Sequence, residues 1–232
     1  MCGRYTLTKF GGTIRKAFRV KGEVEAFKPR FNIAPSQAAP VIVSEHRLAW
    51  MQWGLVPSWA KDPAIGNRMI NARSETVAEK PAFKGPLQRR RCLVLADGFY
   101  EWKRDGRARL PFYFRLHGHQ PFAFAGLWDE WSSPEGSPLQ TFTILTTQAN
   151  PVVEPVHHRM PVILNAEQGG QWLKAETIAP GALAGLLPPL PAEALEAYPV
   201  DPMVNSPKHD RPECVVPKES PDPPPDAQTT LF

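Results

Sequence analysis

The second residue of the chain, Cys2, is the first candidate for chemistry. With so small a side chain after it, Met1 is expected to be removed by methionine aminopeptidase, leaving a cysteine that bears a free α-amine beside its thiol. These groups titrate near about 8 and about 8.5, so part of each is nucleophilic at neutral pH. A 1,2-aminothiol of this kind has a defined reactivity. Its amine condenses with an aldehyde to a Schiff base, and its thiol then closes on the imine carbon to give a five-membered thiazolidine. The closure is intramolecular and benefits from a large effective molarity. Position alone leaves a second reading open, and it is the commoner one: a cysteine that merely happens to follow Met1.

Three further residues have the chemistry to assist. Asn71 begins a polar run straight after an apolar pair, in Met69-Ile70-Asn71-Ala72-Arg73-Ser74-Glu75-Thr76. Glu101 is set among aromatics in Asp97-Gly98-Phe99-Tyr100-Glu101-Trp102. Desolvation there raises a carboxyl pKa and suits the group to general acid/base work. His157 stands before His158-Arg159-Met160-Pro161, at the mouth of an expected strand. Taken singly, a turn asparagine, an exposed strand glutamate and a surface histidine are the more ordinary readings. The histidines include His117-x-His119 and His157-His158, but no H-E-x-x-H or Cys/His quartet accompanies them, so neither a metal nor another cofactor is expected.

The elements that must hold these residues read mainly as strands. Arg47 to Trp53 alternates with a period of two, placing Leu48, Trp50 and Gln52 on one face and Ala49, Met51 and Trp53 on the other. Cys92–Ala96, Pro111–Leu116, Phe122–Leu127, Thr141–Thr147 and Pro161–Leu164 are short, rich in β-branched or aromatic residues, and bounded by Gly, Pro or Asp. Helices are expected over Thr8–Phe18, with Thr8 as N-cap, and over Gln168–Leu173, Ala179–Leu187 and Ala192–Tyr198. The 27 prolines among 232 residues leave no room for long helices to dominate. The pattern predicts an α+β fold: a single domain with a mainly antiparallel β core and short peripheral helices.

Composition narrows the class. A chain that is 42% hydrophobic and 22% charged is not disordered throughout, and no stretch is apolar enough for a membrane span. The opening residues lack the apolar region of a signal peptide. Three widely spaced cysteines, Cys2, Cys92 and Cys214, fit a reducing cytosol and not a disulfide framework. A net charge of +4 permits a polyanionic partner without requiring one. Arg89-Arg90-Arg91 could widen a basic patch, although a charge run is more often a solvated face.

The motifs in combination are far more specific than any residue alone. Met1-Cys2-Gly3-Arg4-Tyr5, Arg30-Phe31-Asn32-Ile33-Ala34-Pro35, Trp53-Gly54-Leu55-Val56-Pro57-Ser58-Trp59, Ile70 to Thr76, Ala96 to Trp102 and His157 to Pro161 occur in this order, followed by Asn205-Ser206-Pro207-Lys208. The chain thereby resembles the SOS-response-associated peptidase (SRAP) family, from Cys2 to about Val216. The resemblance implies a sensor of abasic sites in single-stranded DNA and at single-strand/duplex junctions, which crosslinks to them through its terminal cysteine. It further implies a self-crosslinking enzyme with lyase chemistry, cytoplasmic and nucleoid-associated. By resemblance Cys2 is the nucleophile, Asn71 the hydrogen-bond donor to the linkage, Glu101 the acid/base, and His157 the histidine that assists ring opening and reversal. Arg4, Asn32, Arg73 and Arg159 fall in motifs implied to line the DNA channel, and Trp59 sits where the family carries an aromatic at the junction. The bottom-up reading agrees, because the open form of an abasic sugar carries the aldehyde that an aminothiol prefers. The competing expectations are a cysteine peptidase using Cys2 and His157, and a single-strand binding module without chemistry.

Composition changes at Pro217. The stretch to Ala227 has no large apolar residue and is expected to be an extended, Pro-rich linker, so the domain is read as residues 1–216 and the tail as 217–232. The tail ends in Gln228-Thr229-Thr230-Leu231-Phe232, which looks like the Gln-x-x-Leu-Phe form of the bacterial sliding-clamp binding motif and implies the clamp as a partner.

Overall fold

At Leu48–Trp53 the period-two pattern becomes a strand whose Met51 and Trp53 are buried while Trp50, on the opposite face, is 52% exposed. The computed structural model describes residues 2–9, 11–21, 28–174, 178, 182–187 and 190–218. In chain order these form β1 (Arg4–Leu7), α1 (Gly12–Phe18), β2 (Arg30–Ile33), β3 (Ala38–Ile42), β4 (Leu48–Trp53), β5 (Asn71–Arg73), α2 (Pro81–Arg89), β6 (Arg91–Ala96) and β7 (Gly98–Asp105). They continue with β8 (Ala108–Leu116), β9 (Phe122–Ser132), β10 (Pro138–Gln148), β11 (Arg159–Pro161), β12 (Ile163–Leu164), α3 (Ala166–Lys174), α4 (Leu183–Leu186) and β13 (Leu195–Pro199).

Two sheets form the α+β fold. One runs β13-β8-β7-β1-β2 and is antiparallel throughout. The other runs β11-β10-β4-β3-β6-β9-β12, and a further β10–β9 pairing closes β10, β4, β3, β6 and β9 into a ring. Its two parallel pairings, β10 with β4 and β10 with β5, are the exceptions to an otherwise antiparallel core. β6 has all six side chains buried because it lies inside the ring with both faces covered. The first sheet packs Tyr5 and Phe99 against this barrel, where Tyr5 meets Trp53 and Phe124 edge-on. Its other face carries Tyr100 and Tyr113, which pack against Val200, Val204 and Cys214 from the C-terminal segment.

Five of the six expected strands are present, most of them longer than their sequence cues, while Pro161–Leu164 is divided at Val162 between β11, which pairs with β10, and β12, which pairs with β9. Two helix assignments need correction. The first helix begins at Gly12, not Thr8, because the Thr8 hydroxyl and backbone N–H both donate to the Asp97 carboxylate at 2.6 Å. A residue so engaged is unavailable as a cap, and the helix start falls to Gly11 at φ 76°. The segment Ala192–Tyr198 is a single 3-10 turn followed by β13, since β8 offers it an open edge and pairs with all five of its residues. The helix expected over Ala179–Leu187 reduces to α4, with 179–181 outside the described residues. The tail beyond residue 218, including the clamp-like ending, also lies outside them.

Of the arginine run, Arg89 is exposed and the other two are engaged within the fold. Arg91 is 8% exposed and donates to the carbonyls of Leu87, Gln88 and Trp172, while Arg90 pairs with Asp129. Cys2, Cys92 and Cys214 are buried free thiols. Among the described residues no helix is long and apolar enough to cross a membrane, and no group of three His, Cys, Asp or Glu side chains is placed to hold a metal.

Candidate functional site

Cys2 enters the first sheet two residues ahead of β1, and the pairing of Arg4 with Tyr100 brings it beside the middle of β7. Glu101 follows Tyr100 and turns its side chain to the opposite face, where it is 2% exposed. The register of β7 depends on Gly98, because a Cβ there would run into the ring of Tyr113, whose hydroxyl bonds to that of Thr6.

The other two candidates arrive from the barrel. β5 lies parallel to the end of β10, with Asn71 opposite Ile144, and β11 lies antiparallel on the same stretch, with Arg159 opposite Gln148. Glu75, just beyond β5, clamps Arg159 through two bonds of 2.8 and 2.9 Å, and Arg159 also donates to the Thr146 carbonyl at 2.7 Å. This clamp ties the segment carrying Asn71 to the one carrying His157. Asn71 then crosses to the other sheet and donates from Nδ2 to the Cys2 carbonyl at 2.8 Å. Its Oδ1 is buried without a hydrogen-bond partner among the described residues, so an acceptor is left open beside Cys2.

The electrostatics of the group are set by burial. The Glu101 carboxyl is pushed up to about 7, chiefly by desolvation, with the positive amino terminus and the Trp102 backbone N–H opposing. The Cys2 thiol is driven far above the usual thiol range by burial and then by the charge of Glu101; the amino terminus and a contact of Sγ with the Arg4 carbonyl at 3.6 Å pull the other way. His157 is held below the ordinary imidazole value, first by desolvation, then by the amino terminus, with a backbone bond to Arg159 opposing and the charges of His158 and Arg104 adding. Its Nδ1 lies 3.0 Å from the Arg159 backbone nitrogen and 3.2 Å from the Arg159 carbonyl oxygen, so it can accept from the one or donate to the other according to its tautomer. The ring of the more exposed His158 stacks on the His157 ring at 4.5 Å.

Glu101 and His157 open into a cavity of about 190 Å³ that they share with Trp102, Arg104 and Arg109. Trp102 and Arg109 also line an adjoining hollow of about 420 Å³ with Gly3, Arg4, Pro35 and Asn205. Shared walls make the two one groove. Arg4 reaches it while donating to Asn32 Oδ1 and to the carbonyls of Val204 and Asn205. Asn32 lies beneath the groove, fully buried, with its Nδ2 on the carbonyls of Val204, Ser206 and His209. Arg159 is likewise buried, 8% exposed. Arg73 is exposed on β5. Trp59 is 59% exposed on the loop between β4 and β5. Gly54, which starts that loop at φ 122°, approaches Gly66 so closely that a Cβ on it would sit 2.7 Å from the Gly66 carbonyl oxygen.

Sequence reasoning missed Trp102, Arg104, Arg109 and Asn205 as groove residues. Trp102 was legible only as part of a motif, and Trp102 Nε1 in fact donates to Asn205 Oδ1 at 2.6 Å. Arg104 and Arg109 flank a hairpin that turns at Gly106-Arg107, whereas the Asp105-Gly106 signal read as a two-residue turn would have set Arg104 opposite Arg107.

Comparison with known proteins bears on the whole chain. Residues 1–207 match the family described as SOS response associated peptidase (SRAP). Abasic site processing protein YoqW of Bacillus subtilis strain 168 is 46% identical over 224 residues, covering 93% of this chain and 99% of that one. Abasic site processing protein HMCES of Gallus gallus is 36% identical over 228 residues, covering 83% of this chain and 67% of the relative. A crystal structure of a protein from Bacteroides thetaiotaomicron superposes with a TM-score of 0.83 at 27% identity, covering 94% of this chain and all of that one.

Proposed function

The chain belongs to the SOS response associated peptidase (SRAP) family, and on that ground we propose that it processes abasic sites in single-stranded DNA by crosslinking to them through Cys2. Removal of Met1 exposes the α-amine of Cys2. The amine adds to the C1′ aldehyde of the opened sugar, and loss of water gives an imine. The thiol sulfur then bonds to the imine carbon as its proton passes to nitrogen, closing the thiazolidine. Glu101, poised near pH 7, transfers protons in both steps, and His157 assists opening of the sugar ring and reversal. Asn71 bonds the linkage, and Trp59 and Arg73 contact the strand and its junction with duplex. Asn32 acts at one remove, by holding Arg4.

The observation that carries the reading is the hydrogen bond from Asn71 to the Cys2 carbonyl, beside a buried carboxylate raised to about 7. The same burial disfavours the peptidase alternative, which needs a thiolate that desolvation suppresses. An imine-first route needs only the amine at the outset. Abasic single-stranded DNA is expected to give an adduct that survives SDS and heat, whereas intact DNA gives none. Cys2→Ser is expected to bind DNA and lose the stable adduct; an equal yield from that variant overturns the assignment.

The ending Gln228-Thr229-Thr230-Leu231-Phe232 supports a further partner, the sliding clamp, reached on a Pro-rich spacer. Leu231 and Phe232 would fill an apolar pocket while Gln228 bonds at its rim. Anisotropy of the last 16 residues against a purified bacterial clamp is expected to show roughly micromolar binding, abolished by Leu231→Ala with Phe232→Ala. No binding at about 100 μM removes the partner.

A further inference from the structure

The β7–β8 hairpin places Arg104 directly opposite Arg109. Cross-strand partners share a face, and like charges set opposite each other destabilise a sheet. Both side chains are exposed, and among the described residues neither guanidinium has an ion-pair or hydrogen-bond partner. Among the described residues no carboxylate pairs with either guanidinium to relieve that repulsion. The location of the pair is equally informative. Both arginines line the cavity that holds Glu101 and His157, and Arg109 extends into the adjoining hollow beside Arg4. The charge of Arg104 is near enough to bear on the His157 imidazole.

We propose that Arg104 and Arg109 form a two-pronged receptor for the backbone phosphate next to the abasic sugar. This rests on the reading that the sugar sits between Cys2, Glu101 and His157. A phosphodiester between two facing guanidiniums accepts hydrogen bonds from both and cancels their repulsion. Holding that phosphate fixes where the adjacent C1′ can lie. Arg104 and Arg109 are thus positioning residues, acting through the DNA backbone.

The test is a phosphate scan. Single-stranded oligonucleotides with one abasic site carry a neutral methylphosphonate at each flanking position in turn, and crosslinking by the full chain is followed at sub-saturating protein. One methylphosphonate beside the abasic site is expected to slow the wild type about 10–100-fold. Arg104→Gln with Arg109→Gln is expected to be slow already on native DNA and to lose nothing more at that position. Its log–log salt dependence is expected to be shallower by about 0.7 for each phosphate it no longer neutralises. Its Tm is expected to equal or exceed the wild type's, an outcome no structural role predicts, and lysine at both positions should restore much of the affinity. Wild-type rate and salt dependence in the glutamine variant, or undiminished sensitivity to the same methylphosphonate, overturns the receptor. If the wild type forms no adduct, the crosslinking reading fails on its own. The same scan, read by anisotropy on DNA with a non-reactive abasic analogue, then still decides whether these arginines hold a flanking phosphate.

Discussion

Asp97 and Glu101 mark the two ends of the pairing between β1 and β7, and both are buried, at 6% and 2% exposure. At Asp97 the carboxylate is ringed by donors. The hydroxyls of Thr6 and Thr8 and the backbone N–H groups of Thr8 and Lys9 all bond to it within 2.9 Å. That carboxylate joins the end of β1 to the start of β7 and thereby redirects the chain away from a helix that Thr8 would otherwise begin. At Glu101 burial outweighs every stabilising contact, and the carboxyl rises to about 7. β7 and the residue that precedes it thus bury two acids for opposite ends. A carboxylate surrounded by hydrogen-bond donors is a structural joint, and one whose charge is disfavoured by its setting can exchange a proton at neutral pH.

Glu101→Gln keeps the shape of the side chain and removes its proton. Crosslinking is expected to slow by roughly 10²–10⁴-fold while binding of intact single-stranded DNA changes little. Equal losses in the two assays would place Glu101 with Asp97, as structure. The wild-type rate is expected to inflect near pH 7, and the inflection should vanish in this variant.

Asp97→Ala leaves two backbone N–H groups and two hydroxyls without their acceptor. A loss of about 3–5 kcal/mol in unfolding free energy is expected by denaturant titration. Any folded fraction should keep the pH inflection near 7, because the acid at the other end is untouched. Loss of the inflection would mean that the two ends are coupled and the contrast is false.

A smaller effect sharpens the same contrast through stability. The folded-state pKa of Glu101 lies above its ordinary 4.5, at about 7. Between those values the native state holds the extra proton, so its contribution is fully present below about 4.5 and is lost as pH rises through about 7. The difference in unfolding free energy between Glu101→Gln and wild type is therefore expected to grow in favour of the variant from pH 4.5 to 8, by at most about 3 kcal/mol. A difference flat with pH would show that the carboxyl is not raised by folding.

How much of this was legible in the sequence follows from the range of each interaction. Alternation separates the two faces of a strand, and it set Met51 and Trp53 apart from Trp50 without reference to any neighbour, while the barrel decided which face is buried. The ordered motifs around Cys2, Asn71, Glu101 and His157 were equally open to reading, since residue type and spacing are what a family resemblance consists of. Thr8 was misread because its partner, Asp97, is 89 residues away. Leu195–Pro199 was misread because its conformation is set by an edge that β8 provides. Arg91 passed for part of a basic surface until α2 and Trp172 supplied the carbonyls that bury it. The aromatic setting of Glu101 gave the direction of its pKa shift. The extent of that shift, the bond from Asn71 to Cys2 and the facing of Arg104 with Arg109 were decided by tertiary structure alone. Periodicity and residue type are properties of a local stretch of chain. Desolvation, strand register and hydrogen-bond partnership belong to pairs of residues that only the folded chain brings together.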